Sequence, residues 1–77
     1  MSTQFNEVLV HLDETLDAVM LDNLEADIRR DQGVISVGHR PNQHHLMVVV
    51  YDTAVARGAS ILRPFQERGL HAQLVGM

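Results

Sequence analysis

The sequence predicts a two-layer α+β domain of element order β-α-β-β-α-β, on three observations. Two stretches with helical apolar spacing each follow a β-branched run, a turn segment (Pro41-Asn42-Gln43) splits the two central runs, and nothing else divides the 77 residues. A chain this short makes one domain, 1–77, and buries only ~60–65% of the surface its unfolded form exposes. It contains no cysteine, so neither a disulfide nor a thiolate–metal centre can reinforce the fold. Aliphatic packing must do so, and the 45% hydrophobic content is nearly all Val, Leu, Ile, Ala and Met.

Residues 7–12 (EVLVHL) are β-branched, bounded by polar residues, and read as the first strand. Asp13, Glu14, Thr15 and Asp17 then offer capping oxygens and negative charge for a helix start. Leu21, Leu24 and Ile28 recur at helical spacing with Met20 beside them, while Asp22, Glu25, Asp27, Arg29 and Arg30 take the wet face. Arg29 and Arg30 suit the last turn, and Gly33 is the expected stop. Residues 34–39 form the second strand. Residues 44–51 (HHLMVVVY), apolar on both faces, form the third and belong at the centre of the sheet. Asp52-Thr53 can cap a second helix that runs to Gly69, with Ala59, Ile61, Leu62 and Phe65 buried. Pro64 requires that helix to start late, near Ala59, or to kink, because an interior proline costs about 3 kcal/mol. Residues 71–75 are the last strand. The common solution for this order is the ferredoxin-like split βαβ, an antiparallel sheet in order 4-1-3-2 with both helices on one face.

Composition excludes several functions. A formal net charge of −4, no basic run and only Phe5, Tyr51 and Phe65 as aromatics argue against nucleic acid. The longest apolar run, 46–50, falls far below the ~20 residues needed to span a bilayer, and the N-terminus has no basic leader, so the expectation is a cytoplasmic protein without membrane insertion. No cysteine nucleophile, Gly-rich phosphate loop or Ser/His/Asp arrangement is present, and the expectation is no enzymatic activity. Acylphosphatase-like relatives of the fold need an arginine-bearing anion loop after strand one; here that loop is DETLD, which repels anions.

Stretches 24–37 (LEADIRRDQGVISV), 48–52 (VVVYD) and 61–75 (ILRPFQERGLHAQLV) resemble the heavy-metal-associated domain family. The matching residues are Leu24-Glu25, Gly33-Val34, Tyr51-Asp52, Ile61, Phe65, Gly69 and Leu70, with about one extra residue near the hairpin. The resemblance covers nearly the whole chain and implies the fold more strongly than the function, since these are packing and turn positions. It also implies a metal loop of the M-x-C-x-x-C type between strand one and helix one. Its methionine position falls on Thr15 and its cysteine positions on Asp17 and Met20. Copper(I) transfer by thiolate exchange is therefore not expected. The plain reading is Asp17 as a helix-start carboxylate and Met20 as core filler.

Five histidines remain to be explained, and the topology brings all of them to one end of the domain. His11 ends strand one, His39, His44 and His45 flank the hairpin, and His71 opens strand four. Alternation along strands puts His11, His44 and His71 on the face away from the helices. Such imidazoles, with His39 and His45 nearby and Asp13 as an oxygen donor, are reasonable ligands for Zn(II), Ni(II) or Cu(II). No H-x-x-x-H spacing adds to this. The same residues also fit a pH-sensitive surface, or simple placement of an amphipathic side chain at strand ends. On that face Leu9, Leu46, Val48 and Val50 form an apolar patch, which implies a homo-oligomer or a protein partner. Two functions follow: a metal-handling accessory using histidines in place of cysteines, or an oligomerisation or regulatory module without metal.

Overall fold

The central strand pair organises the molecule. In a computed structural model that describes residues 4–75, β1 (Phe5–Leu12) runs antiparallel to β3 (Leu46–Asp52), with Val8 opposite Val49 and Val10 opposite Met47. β2 (Val34–Gly38) pairs with the outer side of β3, and β4 (Ala72–Val75) with the outer side of β1. The strand order is β2-β3-β1-β4, every neighbour antiparallel. This is the expected 4-1-3-2 sheet, and with α1 (Ala18–Arg29) and α2 (Gly58–Glu67) it makes a ferredoxin-like βαββαβ fold. The strand and helix limits differ from the sequence reading by one to two residues at most ends, as fraying ends do.

Alternation decides which residues form the core. Val8, Val10 and Leu12 of β1 and Met47, Val49 and Tyr51 of β3 are buried, together with Leu21, Leu24 and Ile28 of α1 and Ile61 and Phe65 of α2. Phe65, Leu21, Leu24, Met47 and Val49 are fully enclosed. Each such side chain contributes about 1.5–3 kcal/mol of transfer free energy. Arg68 and Asp27 form an ion pair that links the end of α2 to α1.

Local chemistry sets the helix ends. Asp17 caps α1: its carboxylate accepts the Met20 N–H at 2.8 Å. α2 ends in a left-handed Gly69 (φ 72°), with the Gly69 N–H donating to Gln66 O and the Leu70 N–H to Phe65 O, both at 3.0 Å. That pattern is a Schellman close, which favours glycine because it has no Cβ to clash. Pro64 is the seventh residue of α2, which starts at Gly58, so the Ser60 carbonyl loses its helical donor.

Four sequence expectations are corrected. Met20 is 39% exposed rather than core filler, because it lies off the buried Leu21–Leu24–Ile28 stripe of α1. Ala59 is exposed, and Ile61 and Phe65 carry the buried face of α2 with half-buried Leu62. Glu25, assigned to the wet face, is buried, for a reason given below. Gly33 does not stop α1, which is closed by Arg30 with helical dihedrals. Gly33 is instead buried where the α1–β2 and β3–α2 connections meet: a Cβ there would lie 2.4 Å from Ala56 Cβ and 2.7 Å from Ala56 N. Its carbonyl accepts the Asp52 N–H at 2.7 Å, which holds the two connections together.

Gly33→Ala is expected to lose about 1–3 kcal/mol, the usual range for forcing a methyl into filled space. In thermal unfolding that reads as a fall in Tm of roughly 4–8 °C per kcal/mol for a domain of this size. An unchanged Tm would mean that the connections separate at no cost.

Candidate functional site

The end of the domain that carries the histidines is built by backbone hydrogen bonds. The Leu12 N–H donates to His45 O at 2.8 Å, and the Asp13 N–H donates to His71 O at 3.0 Å. These bonds draw the end of β1, the β2–β3 hairpin and the approach to β4 together, so all five histidines do come to one end. They are not gathered on one face. β3 begins at Leu46, so His44 and His45 lie in the turn before it, and the alternation that governs Leu46, Val48 and Val50 does not extend to them. His71 likewise precedes β4.

The rings fall into three groups. In the first, His39 and His44 stand edge to face, with centroids 5.7 Å apart. The His39 Nδ1–H donates to Glu25 Oε2 at 2.5 Å, and the His44 Nδ1–H donates to Leu16 O at 2.9 Å. A carbonyl only accepts, so a proton sits on His44 Nδ1, and the carboxylate likewise puts one on His39 Nδ1, which leaves each Nε2 clear of these contacts. This is why Glu25 is buried: α1 turns it toward the hairpin, where Arg29 Nη2 donates to its Oε1 at 3.4 Å and to Val37 O at 3.2 Å. The His39 and Glu25 side chains are 17% and 11% exposed, so solvent screens this contact only weakly.

In the second group, His11 on the open face of β1 meets His45 edge to face at 5.6 Å. The ring hydrogen bonds among the described residues engage His39, His44 and His71, which leaves His11 and His45 with unengaged nitrogens. In the third group, the exposed His71 Nδ1–H donates to Glu14 Oε2 at 2.8 Å, and its backbone N–H donates to Glu14 Oε1 at 3.1 Å. Asp13 is exposed and its charge acts on His71, and the expected His11–His44–His71–Asp13 set is not assembled as a metal-holding group. Among the described residues, no group of three or more His, Asp or Glu side chains is arranged to hold a metal ion. No helix among them is long and apolar enough to cross a membrane.

The loop between β1 and α1 does not suit a soft ion. Asp17 spends an oxygen on the α1 cap, and Thr15 and Met20 are exposed. A hydroxyl, a carboxylate and one thioether do not reproduce a pair of thiolates. On the open face, Arg40 and Gln43 of the hairpin reach over Leu9, Leu46 and Val48 around a shallow hollow of ≈ 170 Å³.

His71 titrates above the ordinary 6.5, raised first by its hydrogen bond to Glu14, then by the Glu14 charge, with Asp13 adding and desolvation opposing. Glu14 falls below 4.5, chiefly through the same hydrogen bond. The part of this contact carried by His71 is complete below 6.5 and fades as pH rises through the raised value; the part carried by Glu14 is complete above 4.5 and fades as pH falls through the depressed one. The contact is therefore strongest between those limits, and its exposure keeps its weight in global stability small. An imidazole NMR titration is expected to place the His71 midpoint above 6.5, and Glu14→Gln to lower it toward that value. A midpoint that does not move in Glu14→Gln would refute the contact.

No family model matches the chain, and no curated protein matches it significantly. Solved structures do. A crystal structure of a copper-binding domain from HMA7, a P-type ATPase, superposes with a TM-score of 0.79 at 18% identity, covering 92% of this chain and 95% of that one. The solution structure of the putative copper-ion-binding protein from Bacillus anthracis str. Ames gives 0.81 at 15% identity, covering 94% and 100%. Oxidized MerP from Ralstonia metallidurans CH34 gives 0.79 at 14% identity, covering 92% and 97%. Identities this low establish likeness of fold: the chain has the same fold as these three structures.

Proposed function

We propose that this protein is a small, non-catalytic, cytoplasmic metal-handling accessory that holds a borderline divalent ion through His39 and His44 of the β2–β3 hairpin. The carrying observation is the pair's hydrogen bonding. Each ring is fixed through Nδ1 by an oxygen acceptor, Glu25 or Leu16 O, which leaves Nε2 as the free lone pair. Metal-binding imidazoles are characteristically oriented this way, by a carboxylate or carbonyl on the far nitrogen. Ni(II), Cu(II) and Zn(II) accept imidazole nitrogen, whereas Cu(I) prefers the sulfur this chain lacks. Two protein ligands leave coordination positions for water and for the donors of an acceptor protein, as hand-over by ligand exchange requires. The fold shared with copper-binding domains supports the same reading.

His71 and Asp13 are left out of this set. The exposed His71 ring stands apart, paired with Glu14 and with no second imidazole stacked beside it. A second reading, a regulatory or interaction module without metal, is favoured by the apolar hollow at Leu9, Leu46 and Val48.

Calorimetric titration of tag-free protein with Cu(II) or Ni(II) separates the two. Wild type is expected to bind, and His39→Ala/His44→Ala to lose that binding. Glu25→Gln should weaken it about 10–100-fold, the usual effect of removing an orienting partner. Equal heats from wild type and the double histidine variant would sink the metal reading in favour of the module.

A further inference from the structure

The other imidazole pair, on the open face, has a different character. His11 is exposed and His45 half-buried, their rings lie 5.6 Å apart, and neither ring is oriented by a protein acceptor among the described residues. Zinc sites are tetrahedral, so two imidazoles supply half of one. Beside them lies the side of the sheet that carries no helix, with Arg40 and Gln43 at its hairpin edge. Leu9, Leu46, Val48 and Val50 are each only half-buried, and exposed Val75 extends the patch across β4 through its pairing with Leu9. We propose that a zinc ion joins two copies of this chain face to face, with His11 and His45 of each copy supplying two of its four ligands.

The sheet register makes this arrangement self-complementary. Consider a two-fold axis parallel to the strands, lying above the seam between β1 and β3. It carries β1 of one copy over β3 of the other without moving any residue along the strand. Leu9 and Val48 are register partners, so Leu9 of one copy falls over Val48 of the second, and the reverse. His11 is the register partner of Leu46, the residue next to His45, so both histidine pairs arrive at the axis at the same end. Packed sheets stand roughly 10 Å apart, a gap that imidazoles reaching in from both sides can bridge. The site is isologous and incomplete without the second copy. Glu7 is the one acidic residue of β1 on this face, and it lies two strand positions beyond Leu9, away from the ion. Both copies carry a formal charge of −4, so a divalent cation between them also offsets part of their repulsion.

This goes beyond the hairpin reading, because it uses a different pair of rings and a different oligomeric state. Sedimentation velocity of the tag-free protein at tens of micromolar, with chelator and then with zinc, tests it. The expected result is a monomer in chelator and a doubled mass with zinc, saturating at half an equivalent per chain for this site. His11→Ala/His45→Ala should abolish the zinc-dependent doubling. Val48→Lys should weaken it, with circular dichroism confirming that both variants remain folded. His39→Ala/His44→Ala should leave the doubling intact, so failure of the hairpin site and failure of this one are read separately. A mass that ignores zinc, or a doubling that survives His11→Ala/His45→Ala, would overturn the proposal.

Discussion

Everything at the histidine-bearing end of this molecule depends on the register between β1 and β3. Seven consecutive partners, from Phe5–Asp52 to His11–Leu46, fix which side chains enter the core and which face outward. A slip of β1 by one residue would turn Val8 and Val10 outward and draw Leu9 and His11 inward, burying an imidazole against the helices. The apolar core makes that slip prohibitive. The position of His11 on the open face is thus enforced by residues with no chemistry of their own, and the hairpin is carried to its place by the same ladder.

The β1–α1 loop shows a second constraint, this time a choice between two uses of one position. A helix start needs an acceptor for its free N–H groups, and Asp17 provides it through Met20 N. A thiolate loop would need that stretch of chain for metal instead. Here the position serves the cap, and the leucines that seat α1 on the sheet, Leu21 and Leu24, are fully buried. The likeness to the solved structures rests on the packing of these elements, not on the chemistry of this loop.

Much of this was legible in the sequence, and the limits are physical. Strand order, the core alternation and the open apolar face follow from period-two patterning in residues 7–12 and 46–51, where each strand is regular enough for parity to hold. Parity fails at the turn. His44 and His45 are adjacent to a strand but not in it, so their rings go to different neighbours, Leu16 and His39 for one, His11 for the other. Glu25 was misplaced because a charged residue on an amphipathic helix is assigned to water by default. Only the tertiary arrival of His39 and Arg29 gives it a reason to be buried. Gly33 was misread for a similar reason: its closeness to Ala56, far along the chain, leaves no local trace.

The hairpin between β2 and β3 has a consequence for the speed and cost of ligand capture. It is fastened by the His45 carbonyl to β1, by His44 to the loop before α1, and by His39 to α1 itself. A segment held at three points has little freedom left to surrender when something binds to it. Its affinity for a ligand is then set by the ligand's own desolvation and fit rather than by the entropy of ordering a loop. Such a binding surface is preorganised. An encounter with it needs no refolding of the chain.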